Sequence, residues 1–191
     1  MKEMEIHVFY GSSRVDGNSE QLTKKVLEGL SYNSTRLKDL FIHPIQDKRH
    51  SKEGFSIVKD DYDVIINQIL KSNMIIFATP IYWYSMSGQM KIIIDRFSQA
   101  IRDERYPQLK EHFKKIQVIV LATGGDEPHL KGLPMIQQFR YIFDFLGIYF
   151  KDYILAEGNR PGDIWKDSKA MQEAENLNNW FHKEVEKECN F

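Results

Sequence analysis

Apolar residues fall along this chain in two alternating patterns. Met4–Tyr10, Met74–Thr79 and Ile116–Thr123 are short runs, apolar almost throughout, as strands covered on both faces are. Between them, apolar residues recur three and four positions apart, the spacing of a helix with one buried face. The segment 19–30 carries Leu22, Val26, Leu27 and Leu30 in this way; another carries Val64, Ile65, Ile69 and Leu70 behind Asp60 or Asp61 as cap. Helices are also predicted over Gln89–Ile101 and Leu133–Leu146, the latter closed by Gly147. A weaker strand over Thr35–Leu40, a last strand over Ile148–Ala156 and an amphipathic helix over Lys166–Lys187 complete the series. His43 to Lys59 is polar without a period, and Pro80 to Gly88 reads as a loop.

Strands alternating with helices, the central ones apolar throughout, predict an α/β fold: a doubly wound, five-stranded parallel sheet with helices on both faces. No repeat, low-complexity tract or linker interrupts the pattern, so residues 1–191 are expected to form one domain. In such sheets ligands sit beyond the carboxyl ends of the strands, at the switch in strand order. The loops after the first, third and fourth strands are therefore the places to look.

Composition narrows the classes. The 26 Lys and Arg nearly cancel the 27 Asp and Glu, a net charge of −1, which argues against both a nucleic-acid binder and an acidic carrier. The single cysteine, Cys189, makes neither an internal disulfide nor a cysteine-ligated cluster or zinc site. No cleavage pattern follows Met1, and the longest apolar runs are too short to span a bilayer, so a cytoplasmic protein without membrane contact is expected. Aromatic residues make up 13% of the chain, an unusually high share, and three of them stand in a row in one loop.

The first loop, Gly11-Ser12-Ser13-Arg14-Val15-Asp16-Gly17-Asn18-Ser19, joins small residues and neutral donors to one arginine, ahead of a helix start whose free amides point the same way. That is the chemistry of a phosphate cradle, although neither a P-loop lysine nor a G-x-G-x-x-G fingerprint is present. A polar helix cap with a surface arginine is the plainer reading. The second loop holds Tyr82-Trp83-Tyr84 followed by Ser85, Ser87 and Gly88. Three aromatics at a strand end cannot all enter a core, so they stack on a planar ligand or pack against a neighbouring helix or subunit. Asp95 and Arg96 beyond it read as structural charges. The third loop, Thr123-Gly124-Gly125-Asp126-Glu127, allows close backbone approach to a ligand or is simply a turn. His43 and His50, with no third ligand near them, read as surface residues rather than a metal site.

With GSSRVDGNS at 11–19, TPIYWYSMSGQMKIIIDR at 79–96 and TGG at 123–125, the chain resembles the NAD(P)H-dependent FMN reductases of the flavodoxin-like superfamily. The middle motif is the most specific, and it looks closest to the branch containing iron–sulfur flavoproteins. The resemblance implies strand order 2-1-3-4-5 and a bound FMN reduced by NADPH or NADH. It implies that Ser12, Arg14, Asn18 and Ser19 hold the phosphate. Pro80, Ile81, Tyr82, Trp83 and Ser87 would line the ring and ribityl chain, with Thr123, Gly124, Gly125 and Asp126 along the other edge. Two departures stand out: Ser13 takes a position where the family often has proline, and the stretch 43–55 lacks the cysteines of the iron–sulfur members. The resemblance further implies hydride transfer to a small acceptor (a quinone, a nitro- or azo-compound, or free flavin) and a homodimer or homotetramer. No side chain is expected to act as acid or base, because FMN carries the chemistry. A flavodoxin-type electron shuttle would also fit the fold, although such proteins are strongly acidic. A non-catalytic regulatory module would fit too, but it gains no support from the near-neutral charge.

Overall fold

The computed structural model describes residues 4–189. Five strands, β1 (Ile6–Tyr10), β2 (Asn33–Arg36), β3 (Met74–Pro80), β4 (Gln117–Gly124) and β5 (Tyr149–Glu157), form one parallel sheet in the order β2-β1-β3-β4-β5. The pleat sorts the side chains. Phe9, Ile75, Phe77, Val118, Val120 and Ala122 face one layer; Val8, Tyr10, Ile76, Ala78, Ile119 and Leu121 face the other. The first layer is closed by helices α2 (Tyr62–Lys71), α3 (Gly88–Ala100) and α6 (Leu133–Leu146), which supply Ile65, Ile69, Met90, Phe97, Phe139 and Phe143. The second is closed by α1 (Asn18–Val26) and α7 (Ser168–Cys189), through Leu22, Val26, Ala170, Ala174 and Phe181.

Two short helices, α4 (Leu109–Phe113) and α5 (Pro128–Lys131), add to the five that the spacing predicts. Both are too short to show a period, and α4 contributes only Leu109 and Phe113 to the core. The second strand differs from expectation more. It occupies Asn33–Arg36, and Leu37–Asp39, which the apolar pattern assigned to the strand, forms a 3₁₀ turn that buries Leu37. The cause is its position at the sheet edge: paired only with β1, it has solvent on its other side and carries Asn33 and Ser34 rather than an apolar run.

The polar stretch between β2 and α2 is held by one buried ion pair. Arg96 of α3, 3% exposed, donates to the Asp60 carboxylate and to the His43 carbonyl at 2.9 Å, its Nε donates to Gln99, and its guanidinium lies 4.7 Å from the centre of the Tyr62 ring. Asp60 also accepts the His43 and Tyr62 amides, while Asp61 occupies the cap position of α2 and accepts the Phe41 amide. The two acids expected to compete for one cap divide the work: Asp61 holds the cap position without a side-chain bond into the helix, Asp60 accepts the first helical amide, and both anchor the segment before it. Burial would raise the Asp60 carboxyl, but its bonds from Arg96 and the two amides outweigh this and leave its pKa below the usual carboxylate value.

Candidate functional site

The three predicted loops converge at the carboxyl end of the sheet and are laced to one another. The Gly11 amide donates to the Ala78 carbonyl at 2.8 Å and the Ile81 amide to the Thr123 carbonyl at 2.8 Å. Gly11 has to be glycine for packing reasons, since a Cβ there would lie 2.8 Å from Ser87 Oγ. Ser87 caps α3 by accepting the Met90 amide, and its own amide donates to the buried Thr79 hydroxyl.

In the first loop Ser12 Oγ accepts the Arg14 amide at 3.1 Å and remains free to donate its own hydrogen. At the start of α1 the amides of Asn18 and Ser19 have no intrahelical acceptor. Ser12 and Ser19 are buried, whereas Arg14 reaches outward and donates a single bond, to the Asn159 carbonyl at 3.2 Å. Hydroxyl, helix amides and a largely unpaired guanidinium make a donor set that fits a phosphate monoester.

Asn18 is placed differently from a simple ligand. Both polar atoms of its side chain bond a fourth loop, 158–162: Nδ2 donates to the Arg160 carbonyl and Oδ1 accepts the Gly162 amide, both at 3.0 Å. Gly158 lies so close that a Cβ would come within 2.6 Å of Asn18 Nδ2, and its amide donates to the Gly124 carbonyl. Asn18 therefore offers the cradle its backbone amide while its side chain locks first and fourth loops together. Sequence reasoning missed the fourth loop, although Gly-Asn-Arg-Pro-Gly after the last strand is a turn signal at the same end of the sheet.

The second loop is a tight turn. Tyr82 and Ser85 exchange amide-to-carbonyl bonds at 2.9 and 3.1 Å, and the two residues between them, Trp83 and Tyr84, have φ of 50° and 62°. Such turns normally carry Asn-Gly, because a left-handed backbone costs a bulky residue about 1–2 kcal/mol. Here it raises the Trp83 indole to 95% exposure. Tyr84 is turned back across the site to donate to Asp126 Oδ2 at 2.8 Å, and Ser85 Oγ donates to Gln138 of α6. Asp126 also accepts Lys131, and these two partners hold its carboxyl below the usual range. The third loop is thereby tied to the second by side chains as well as by the sheet.

A parallel sheet in this order, with a donor-rich loop after its first strand and an aromatic turn after its third, defines a flavodoxin-like protein. The chain belongs to the NADPH-dependent FMN reductase family, whose model matches residues 4–153. It is 49% identical over 174 residues to YwqN of Bacillus subtilis, named as an NAD(P)H-dependent FMN-containing oxidoreductase; the match covers 91% of this chain and 96% of that one. The solved structure titled Trp repressor binding protein from Bacillus subtilis superimposes with a TM-score of 0.77 at 43% identity, covering 91% of this chain and 97% of that one. An iron–sulfur flavoprotein of Methanocaldococcus jannaschii, MJ1083, is 27% identical over 179 residues, 87% of this chain and 90% of that one. The present chain is an NAD(P)H-dependent oxidoreductase whose cofactor is FMN. With one cysteine in its whole sequence, it does not supply the ligands of an iron–sulfur cluster. No helix among the described residues is long and apolar enough to cross a membrane.

Proposed function

We propose that the chain passes hydride from NADH or NADPH to a small planar acceptor, with FMN seated across the four loops at the carboxyl end of the sheet. The observation that carries this reading is the convergence of a donor-rich cradle and a strained aromatic turn on one end of the sheet, laced through Tyr84 and Asp126. Ser12, Arg14 and the amides of Asn18 and Ser19 hold the phosphate. Pro80, Ile81, Tyr82, Trp83 and Ser87 border the ring on one side, and Thr123, Gly124, Gly125 and Asp126 on the other. Bound FMN supplies the hydride acceptance and release. The protein positions it, and the exposed faces of Tyr82 and Trp83 offer a surface on which donor and acceptor stack in turn. This flat, aromatic mouth supports quinones, nitro- or azo-compounds and free flavin as acceptors.

The test is an anaerobic visible spectrum of the purified chain with FMN, before and after adding each pyridine nucleotide. Bleaching by NADH or NADPH without a partner protein is the expected result; a bound flavin that neither donor reduces would mark an electron shuttle instead. Replacing Arg14 by alanine is expected to weaken FMN binding roughly 10- to 100-fold, the size of a lost charged hydrogen-bond partner. FMN affinity equal to wild type would remove Arg14 from the cradle.

The same reading includes self-association. A groove of about 480 Å³ between α3 and α6 is lined by Ile94, Ile101, Tyr141, Ile142 and Phe145, and adjoins the aromatic turn through Gln138. Phe145 and Tyr141 stand largely exposed on its rim, an apolar face of the kind that pairs with a second copy. A Phe145→Glu chain is expected to sediment as a monomer where the wild type sediments as a dimer or tetramer; an unchanged profile would exclude this face.

A further inference from the structure

Glu20 is the third residue of α1 and only 5% exposed, so a carboxylate is buried in the very turn whose amides point at the cradle. Its Oε2 reaches back to accept the Asp16 amide at 2.9 Å, which closes the loop where Asp16 adopts a φ of 53°. An acid here stabilises the helix start, yet it repels an anion arriving at the same place. Arg36, at the end of β2, covers that charge: its two terminal nitrogens donate to both Glu20 oxygens at 2.7 and 2.9 Å. The guanidinium also lies 5.6 Å from the centre of the Tyr10 ring, which fixes it from behind.

The remaining charges of the loop balance as well. Lys24 pairs with Asp16 at 2.8 Å and stands 3.3 Å from Glu20. Glu20 against Arg36 and Asp16 against Lys24 leave Arg14 as the one uncompensated charge of this cluster. The hydrogen bonds that Arg36 donates from its two terminal nitrogens run to Glu20 and not to Ser12, Arg14 or Ser19.

We propose that Arg36 is a positioning residue that sets the preference for a phosphorylated flavin: by neutralising the buried Glu20 carboxylate it keeps a like charge from facing the cofactor's phosphate, while Glu20 keeps the loop closed. The inference rests on the first loop being the phosphate cradle. Without Arg36, Glu20 and Asp16 share the single charge of Lys24, so one carboxylate is left in excess to oppose the dianion, and a flavin lacking the phosphate feels no such penalty.

The experiment titrates the flavin-stripped full chain with FMN and with riboflavin and reads the ratio of the two affinities. Arg36→Met is expected to lower that ratio by about tenfold or more, as a like charge brought close to a dianion does, with riboflavin affinity changing less than about threefold. Glu20→Gln placed on that background removes the repelling charge but retains an oxygen for the Asp16 amide. It is expected to return the ratio to within about threefold of wild type. Arg36→Lys, which keeps the charge and loses the fork, is expected to preserve most of the preference. A ratio unchanged in Arg36→Met overturns the proposal, and so does a double variant as impaired as the single one. If Arg36→Met fails to fold, the double variant against wild type decides alone: it carries no buried charge, and a lowered ratio rejects the idea. Arg14→Ala separates the underlying reading, because an intact FMN preference in that chain would place the phosphate elsewhere and remove both claims together.

Discussion

Exchanging Arg96 for methionine lowers the unfolding free energy by about 3–5 kcal/mol, because it leaves the buried Asp60 carboxylate without its charge partner, held only by the His43 and Tyr62 amides. For a chain of this length that is a drop in melting temperature of roughly 6–20 °C. Asp60→Asn strands the opposite charge and has an effect of the same sign, and the two changes together cost less than their sum. The measurement is thermal unfolding of the two single variants and the double one. Wild-type melting in Arg96→Met would show that the pair is not what pins the 43–59 segment. The pH dependence follows from the depressed Asp60 pKa. A carboxyl held below its unfolded value stabilises the fold fully above that unfolded value and stops doing so as the pH falls through the folded one. The wild type therefore keeps the tie at neutral pH and loses it on acidification below the ordinary carboxylate range, whereas Arg96→Met shows a weaker acid dependence.

The second large effect has opposite signs in stability and activity. Trp83→Asn with Tyr84→Gly gives the turn the residues its backbone favours, and relieves a left-handed conformation at two positions. Even after the exposed Tyr84–Asp126 hydrogen bond is lost, the gain is about 1–2 kcal/mol, or roughly 2–8 °C in melting temperature. The same exchange removes the indole and phenol that face the mouth. Its kcat/KM toward flat acceptors is expected to fall by about tenfold or more, consistent with the strength of aromatic stacking against a planar ligand. A variant that melts higher and turns over at the wild-type rate would show that the strain serves something other than the reaction.

Elements buried on two sides were the legible ones. Met74–Thr79 and Ile116–Thr123 announce central strands because they are apolar almost throughout, and the structure extends the first by a residue to Pro80 and shifts the second by one, to Gln117–Gly124. Thr35–Leu40 misled because an edge strand and a 3₁₀ turn share one short sequence, and the only strongly apolar residues there, Leu37 and Leu40, lie in and just after the turn. The first three loops stood out by composition (small residues, one arginine and three consecutive aromatics at strand ends), although each also allowed a plainer reading as cap, packing or turn, and the structure brings the three together at one end of the sheet. What composition could not show was partnership across the chain. Asn18 reads as a ligand by residue type, yet its amide is committed to carbonyl and amide groups in the 158–162 loop. Glu20 and Arg36 lie 16 positions apart, and only folding brings them into bidentate contact. The family resemblance implied that Trp83 lines the ring; that it stands at the tip of a left-handed turn is a backbone property no side-chain pattern reports.

The Asn18 clamp has a consequence for the order of events in the cell. It joins the first cradle residues to a loop more than 140 positions later, beyond the last strand. Synthesis delivers the N-terminal helix early, but the groups that fasten its opening turn emerge only after β5 has been made. Contacts that span so much sequence form late, because the intervening chain has to be ordered before its ends can meet. A chain stopped before Gly158 leaves the Asn18 side chain without its partners, so with FMN seated in the proposed cradle, flavin uptake would report that the last strand has been made and has found its place.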